Sequence, residues 1–466
     1  MILRLKIWDK TKFLAGALAL CLLLSGCAAP SAPKAETTEG PLMIAIGGAQ
    51  YAADSSSLRV ALQPGETAML EAFPALRFLD ATGSADPAEI AAWARAHQEV
   101  DVSYTVRLPD GTELDSRTET VELSACTGQE LEAALEALGQ LQGLKILRLG
   151  ELRDSLPLES VRAAQSALPE TEVRCGFTLY GKHFDVADAS LNLRQTYIDD
   201  EAEALEAMLP YMPRLHTLDL DNCGLSNARL ERLRLDHPEL KVVWRVWFGR
   251  NYSVRTDVER ILASRPTAGG ELFNDDVEQL YYCHDVKYLD IGHNGGVTDI
   301  SFVRGMPKLE VAILAMGDWS DASPLADCPE LEYLEMQTTK CSDLSPLSGL
   351  TKLRHLNIAT NLNISDISPL YSLTELERLW VGNYNYVTKD QIAEMQRCAP
   401  NCWINTTVWN DPTVEQWRFN DWDPVPRYAL LRLQFGDYAD SAYSFSWNDP
   451  LYSAPLKTAA EEDVLP

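Results

Sequence analysis

The stretch VKYLDIGHN at residues 286–294 decides the fold of this chain, because four related nonapeptides follow it at a nearly constant spacing. They are LEVAILAMG from Leu309, LEYLEMQTT from Leu331, LRHLNIATN from Leu353 and LERLWVGNY from Leu376, at intervals of 23, 22, 22 and 23 residues. A second motif keeps the same phase: TDISFV, SDASPL, SDLSPL and SDISPL contain Asp299, Asp321, Asp343 and Asp366. Two motifs that repeat in phase predict a stack of similar coils.

Each nonapeptide carries a pattern close to LxxLxL, in which apolar residues alternate along a short strand and point to one side. The pattern resembles the leucine-rich repeat, in the short bacterial form of the internalins, with its LxxLxLxxN strand segment and its D-I-x-P-L return segment. The resemblance implies an α/β fold: a leucine-rich-repeat solenoid with a curved parallel sheet, helical or irregular returns and terminal caps. Such a solenoid is stable only as a stack, because each coil must be covered by its neighbours.

Two features of the repeat carry structural expectations. The resemblance implies that an asparagine satisfies backbone groups at the bend after each strand, and Asn294 and Asn361 occupy that position. Gly317, Thr339 and Tyr384 stand there in the other coils, so we expect less regular bends. The phased aspartates match the turn position of the family and are interpreted as caps of the return segments.

The chain before residue 286 repeats with a longer period. FPALRFLDATG, LQGLKILRLGE, MPRLHTLDLDN and CHDVKYLDIGH align Leu76, Leu144, Leu215 and Val286 at intervals of 68, 71 and 71 residues. Helix-like and alternating stretches recur between them. We interpret each unit as two leucine-rich coils with helical returns, interrupted by a projecting hairpin at PDG, YGK or FGRN. The helical returns are similar to those of the ribonuclease-inhibitor kind of repeat.

The leader predicts export and a lipid anchor. Basic residues in the first 12 positions precede the apolar run FLAGALALCLLL, which has the length of a signal peptide rather than of a membrane-spanning helix. The run ends in Leu24-Ser25-Gly26-Cys27, which resembles the lipobox of bacterial lipoproteins. The resemblance implies diacylglycerol on the Cys27 thiol and cleavage before it, which would hold the protein on the extracytoplasmic side of a membrane. The alternative is an ordinary cleaved signal peptide in which Cys27 occurs by chance.

These signals divide the chain into six parts. We predict a signal peptide at 1–26, a flexible tether at 27–41, an N-terminal cap at 42–75, long units at 76–285, short repeats at 286–388, and a C-terminal cap with an acidic tail at 389–466. In the last part, VTKDQIAEMQRC predicts an amphipathic helix that ends the short repeats. The remainder holds five of the eleven tryptophans and is interpreted as a cap over the last coil, with a ligand site as the alternative.

Composition excludes several classes of function. The formal charge of -28 argues against a nucleic-acid partner, because phosphate binding needs clustered Lys and Arg.

The cysteines form no CxxC pair, and no metal or other cofactor is expected. Cys398 and Cys402, in CAPNC, are the best candidates for a short disulfide, whereas most other cysteines suit buried positions. Asp219, Asp221 and Asn222 could suggest calcium, but their loop lacks the glycine and final glutamate of an EF-hand.

The residues with a functional claim are those expected to face outward from the short-repeat strands. Counting along the motif gives two columns of candidate binding residues, namely Tyr288, Asp290, Val311, Ile313, Tyr333, Glu335, His355, Asn357, Arg378 and Trp380. Aromatic residues with a few polar groups are typical of protein interfaces. No catalytic motif is recognisable, so the chain is not expected to be an enzyme. The sequence predicts a membrane-anchored scaffold that binds a protein or peptide. The alternative is a glycan- or cell-wall-binding lipoprotein that uses the C-terminal tryptophans.

Overall fold

The computed structural model describes residues 42–249, 252–264, 271–382 and 385–407, and the backbone of 419–420, 423–424 and 454–455. Several of the sequence predictions lie outside the described residues: the signal peptide, the tether, Cys27 and four of the five C-terminal tryptophans. The chain forms two compact units, which divide between Val102 and Ser103.

The first unit holds the predicted N-terminal cap. β1 (Met43–Ile46) and β2 (Ala49–Ala52) form an antiparallel hairpin. A separate parallel sheet contains β3 (Ser57–Arg59), β4 (Phe78–Asp80) and β5 (Asp101–Ser103), the last of which carries the chain into the second unit. A 3-10 helix, Glu66–Ala72, connects β3 to β4, and α1 (Pro87–Ala96) connects β4 to β5. Asp86 caps α1 by accepting hydrogen bonds from the Ala88 and Glu89 amides.

The region of the long units contains pairs of coils with helical returns and a hairpin. The elements in chain order are β6 (Thr105–Arg107), β7 (Glu113–Asp115), β8 (Thr120–Glu122), α2 (Gly128–Leu138), β9 (Ile146–Glu151), α3 (Leu158–Ala167), β10 (Glu172–Leu179), β11 (Lys182–Asp185), β12 (Ser190–Asn192), α4 (Glu203–Met208), a 3-10 helix (Leu209–Tyr211), β13 (Thr217–Asp219), α5 (Asn227–Asp236), β14 (Lys241–Val243), β15 (Arg245–Phe248) and β16 (Tyr252–Arg255). The pairs β6–β7, β10–β11 and β15–β16 are the predicted hairpins at PDG, YGK and FGRN.

The five strands of the short repeats, with β17 before them and β23 after them, form one seven-stranded parallel sheet in sequence order. Its strands are β17 (Arg260–Leu262), β18 (Tyr288–Asp290), β19 (Val311–Ile313), β20 (Tyr333–Glu335), β21 (His355–Asn357), β22 (Arg378–Trp380) and β23 (Trp403–Asn405). The returns are α6 (Asn274–Val277) with the 3-10 helix Glu278–Tyr282, four further 3-10 helices (Ser301–Gly305, Ser323–Asp327, Ser345–Gly349, Ser368–Ser372), and α7 (Lys389–Cys398). The fold is a leucine-rich-repeat solenoid.

The repeat motifs act as the resemblance implies. The central residues of β18 to β22 are inaccessible to solvent and fill the core: Leu289, Ala312, Leu334, Leu356 and Leu379. The phased aspartates are the predicted caps, because each accepts a hydrogen bond from the amide of the serine two residues later, at 2.7 or 2.8 Å. That serine begins a 3-10 helix in each coil.

The bends without the motif asparagine are completed by other side chains. After β19 the Trp319 indole donates to the Leu314 carbonyl at 3.0 Å. After β20 the Thr339 hydroxyl donates to the Met336 carbonyl at 3.2 Å, and after β22 the Asn385 amide donates to the Val381 carbonyl at 2.6 Å. One hydrogen bond to the equivalent carbonyl of the bend is therefore kept where the consensus residue is lost.

The sheet extends one strand beyond the sequence repeat. The predicted amphipathic helix is present as α7, where Thr388 and Gln391 form a capping box. After α7 the chain returns to the sheet, and β23 pairs in parallel with β22. The helix thus replaces one return segment and does not end the stack.

Candidate functional site

The ten candidate binding residues come together in the two predicted columns. Strand register places Tyr288, Val311, Tyr333, His355 and Arg378 side by side, and likewise Asp290, Ile313, Glu335, Asn357 and Trp380. We call these ten side chains the short-repeat face. The expectation that they are open to solvent is wrong, because none is more than 9% exposed. This includes Val311 and Ile313, at 0% and 2%.

The short-repeat face has a dense set of polar and ring contacts. The Tyr333 and His355 rings stack with their centroids 5.6 Å apart. The Tyr333 hydroxyl donates to the Glu335 carboxylate, which also accepts from Gln337 Nε2 at 3.3 Å. At the edge of the sheet, the Arg378 guanidinium lies 4.8 Å from the centre of the Trp403 ring. These contacts fix the side chains in place before any external ligand arrives.

His355 is held in its neutral form on this face. It is 1% exposed, and its Nε2 lies 3.6 Å from a Glu377 carboxylate oxygen. Burial, reinforced by the positive charges of Arg378 and Arg354, lowers the pKa of His355 from its ordinary 6.5 to about 4, against the opposing effect of Glu377.

This histidine should make stability depend on pH. A depressed folded pKa means that the unfolded chain binds a proton which the folded chain does not, so the stabilisation is complete above about 6.5 and is lost as the pH falls towards about 4. The loss of stability is at most about 3.4 kcal/mol. In urea titrations between these pH values, His355→Gln should flatten the decline, whereas His183→Gln, at an exposed histidine, should leave it unchanged. Equal slopes in the wild type and both variants would contradict this assignment.

A second set of outward side chains is open to solvent. In the sheet of β8, β9 and β10, register aligns Thr120 with Ile146 and Glu172, and Glu122 with Arg148 and Arg174. In the sheet of β12 and β13 it aligns Ser190 with Thr217, and Asn192 with Asp219. All ten are exposed or half-buried. We call them the long-repeat face.

Charges on the long-repeat face are held in ion pairs. Arg148 Nε lies 3.1 Å from Glu122 Oε1, and Glu172 is paired with both Arg174 and Arg214. These ion pairs fix the direction of side chains that remain hydrated, which is a suitable arrangement for a polar interface. We did not single out these residues from the sequence. Outward counting along TVELSA, LKILRLGE and TEVRCGF would have identified Thr120, Ile146 and Glu172.

A buried cluster of charges lies beside this face, at the end of β13. Asp221 has no solvent exposure, and Arg245 binds it through two contacts, at 3.1 and 3.2 Å. Arg194 Nε and Arg255 Nη1 each approach it to 3.5 Å. The acidic stretch that could suggest calcium therefore faces guanidinium groups.

The cysteines are free thiols in the described part of the chain, and this includes Cys398 and Cys402, for which we predicted a bridge. Cys402 is 4% exposed, whereas Cys398 lies at the end of α7 with its sulfur 4.0 Å from Glu394 Oε1. Burial raises the pKa of Cys175, Cys283, Cys328 and Cys402 to about 12, so these thiols stay protonated at neutral pH. They are core residues and not nucleophiles.

Across residues 42–407, apart from the short gaps, His, Cys, Asp and Glu form no group of three or more that could hold a metal ion. In the same part of the chain, no helix has the length and apolar character needed to cross a membrane.

The coils, their stacked strands and the capped returns define a leucine-rich-repeat protein. The chain is similar to internalin C2 of Listeria monocytogenes, with 21% identity over 53% of this chain and 92% of that one and a TM-score of 0.28. A second Listeria monocytogenes internalin is 16% identical over 78% and 84%, with a TM-score of 0.27. A leucine-rich-repeat protein of Leptospira interrogans is 14% identical over 76% and 93%, with a TM-score of 0.30. No protein-family model and no curated protein matches the chain.

Proposed function

We propose that this protein is a lipid-anchored, extracytoplasmic scaffold that binds a protein or peptide through its long-repeat face. The observation that supports the binding surface is the contrast between the two sets of outward residues. Those of β8 to β13 are accessible and lie in register, whereas those of β18 to β22 are covered. A row of oriented, hydrated ion pairs with the half-buried Ile146 among them offers both polar specificity and apolar contact area.

Site-specific photocrosslinking tests this surface. A photoreactive residue at Thr120 or Ser190 should crosslink the same partner on intact cells. The same residue at Glu132, exposed on the return helix α2, should not. Substitution of Arg148 and Arg174 by Glu should reduce the crosslinked product by about tenfold, as expected for the loss of polar interface contacts. Equal crosslinking from all three positions would mean that the contact is nonspecific and would overturn the proposal.

The anchor part of the proposal depends on Cys27 and has its own test. Cys27→Ser should move the protein from the detergent phase to the aqueous phase in phase partitioning, because the acylation site is lost while the apolar leader is not a stable anchor. Cys21→Ser, a change of the same type inside the apolar run, should partition like the wild type. Unchanged partitioning of Cys27→Ser would refute the lipid anchor and leave the binding surface to be judged separately.

The glycan-binding alternative receives no support from a described residue. Among the five C-terminal tryptophans, Trp403 is the one that the structure describes, at 39% exposure. The Arg378 guanidinium lies over its ring, so that ring face is not free to stack on a sugar. Sugar binding by the remaining tryptophans stays a prediction.

A further inference from the structure

The short-repeat face is covered, whereas the opposite side of the same coils is not. Its ten side chains are at most 9% exposed, but the Arg304 and Lys308 side chains on the returns are 42% and 57% exposed. Among the described elements, strands β18 to β22 are hydrogen-bonded only to their neighbours in the sheet.

The backbone places a late part of the chain close to this sheet. β24 (Phe419–Asn420) and β25 (Asp423–Pro424) pair with each other, and β26 (Ala454–Pro455) pairs antiparallel with β16. The hairpin of β16 immediately precedes β17, the first strand of the seven-stranded sheet, whereas β23 is the last. The chain therefore leaves the sheet at one edge and comes back beside the other.

Chain length is sufficient for a path over the face. Six strand spacings separate β17 from β23, a distance of about 29 Å. Residues 406–453 can span on the order of 150 Å when extended, several times that distance.

We propose that the short-repeat face is the docking surface of this chain's own C-terminal segment, residues 408–466. The chemistry of the two partners is complementary. Residues 408–453 contain eleven aromatic residues, which suit the apolar Val311 and Ile313, and seven acidic residues against three basic ones, which suit Arg260 and Arg378. Arg260 is fully buried on the neighbouring strand, β17.

Buried amides on and beside the face require a polar occupant as well. Asn357 Nδ2 and Gln337 Oε1 are inaccessible to solvent and lack a hydrogen-bond partner among the described residues. A buried amide without a partner is costly, so backbone and carboxylate groups of the segment would be stabilising here. The C-terminal segment would thus occupy this sheet face along the strands, a role beyond that of a cap on the last coil.

Hydrogen–deuterium exchange of the full-length chain tests this docking. We expect amides within 408–453 to be protected at least about tenfold relative to an unstructured peptide. Ile313→Lys should remove that protection while the amides of β18 to β22 keep theirs, because the lysine is solvated once the segment has left. Met316→Lys is the matched control, since Met316 lies in the same coil at 43% exposure, and it should change nothing.

A second variant covers the case in which Ile313→Lys unfolds the sheet. Asn357→Asp keeps the shape of the side chain and its bond to the Ala359 amide, but adds a negative charge facing an acidic segment. It should lower protection in 408–453 alone. Unprotected amides in 408–453 of the wild type would overturn the proposal. So would protection that depends on protein concentration, which indicates a second copy, or protection in residues 1–41 instead.

Discussion

Asp221→Asn is expected to destabilise the second unit by about 3–5 kcal/mol, the usual cost of removing one partner from a buried ion pair. The amide retains the shape of the carboxylate but not its charge. Arg245, which is 10% exposed, would then face a neutral group at the fully buried end of the cluster, while the more exposed Arg194 and Arg255 would lose their contacts at 3.5 Å. Urea unfolding followed by circular dichroism measures the change in the free energy of unfolding. In thermal unfolding the same substitution should lower the midpoint temperature by several degrees.

Glu122→Gln is the matched control for this substitution. It also converts a carboxylate that is paired with an arginine into an amide, with the Arg148 contact at 3.1 Å. Both side chains of that pair are more than 40% exposed, so its loss should cost less than about 1 kcal/mol. If the two variants lose the same stability, burial does not govern the cluster at Asp221.

Local motifs made the coil positions predictable. Strands β18 to β22 begin at the third residue of each quoted nonapeptide, and the hairpins occur at PDG, YGK and FGRN. Both features depend on residues that are close in sequence: the alternation of apolar side chains sets the strand, and the turn residues set the hairpin. The same locality made the aspartate caps predictable, because donor and acceptor are two residues apart.

The errors concern contacts between residues that are distant in sequence. The outward direction of Val311 and Ile313 follows from the strand pattern, but their burial depends on another part of the chain. The cluster at Asp221 joins Arg194 to Arg245 and Arg255, which belong to different coils and follow no repeat. β23 was missed because α7 replaces the return motif that marks the other coils. A repeat shows where a coil lies but not what covers it.

The second large effect is expected at Asn361, the motif asparagine after β21, because its side chain links two coils. Asn361 is fully buried. Its Oδ1 accepts from the Thr339 amide at 2.6 Å, and its Nδ2 donates to the Met336 carbonyl at 2.9 Å. Both partners belong to the preceding coil. Asn361→Ala should therefore cost about 2 kcal/mol, since the buried Thr339 amide loses its partner while the Met336 carbonyl keeps only the bond from the Thr339 hydroxyl.

The size of this effect follows from the architecture, in which stability is the sum of single coils and the interfaces between neighbours. Asn361→Ala weakens one interface, so amide exchange should accelerate first in the coils after Asn361. Asn363→Ala is the control, because Asn363 is exposed and its one hydrogen bond, to the Lys340 carbonyl, is long at 3.4 Å. Asn361→Asp should be at least as unstable as Asn361→Ala, since it places a buried carboxylate against the Met336 carbonyl oxygen. If Asn361→Ala loses no more stability than Asn363→Ala, the Asn361 side chain does not couple the two coils.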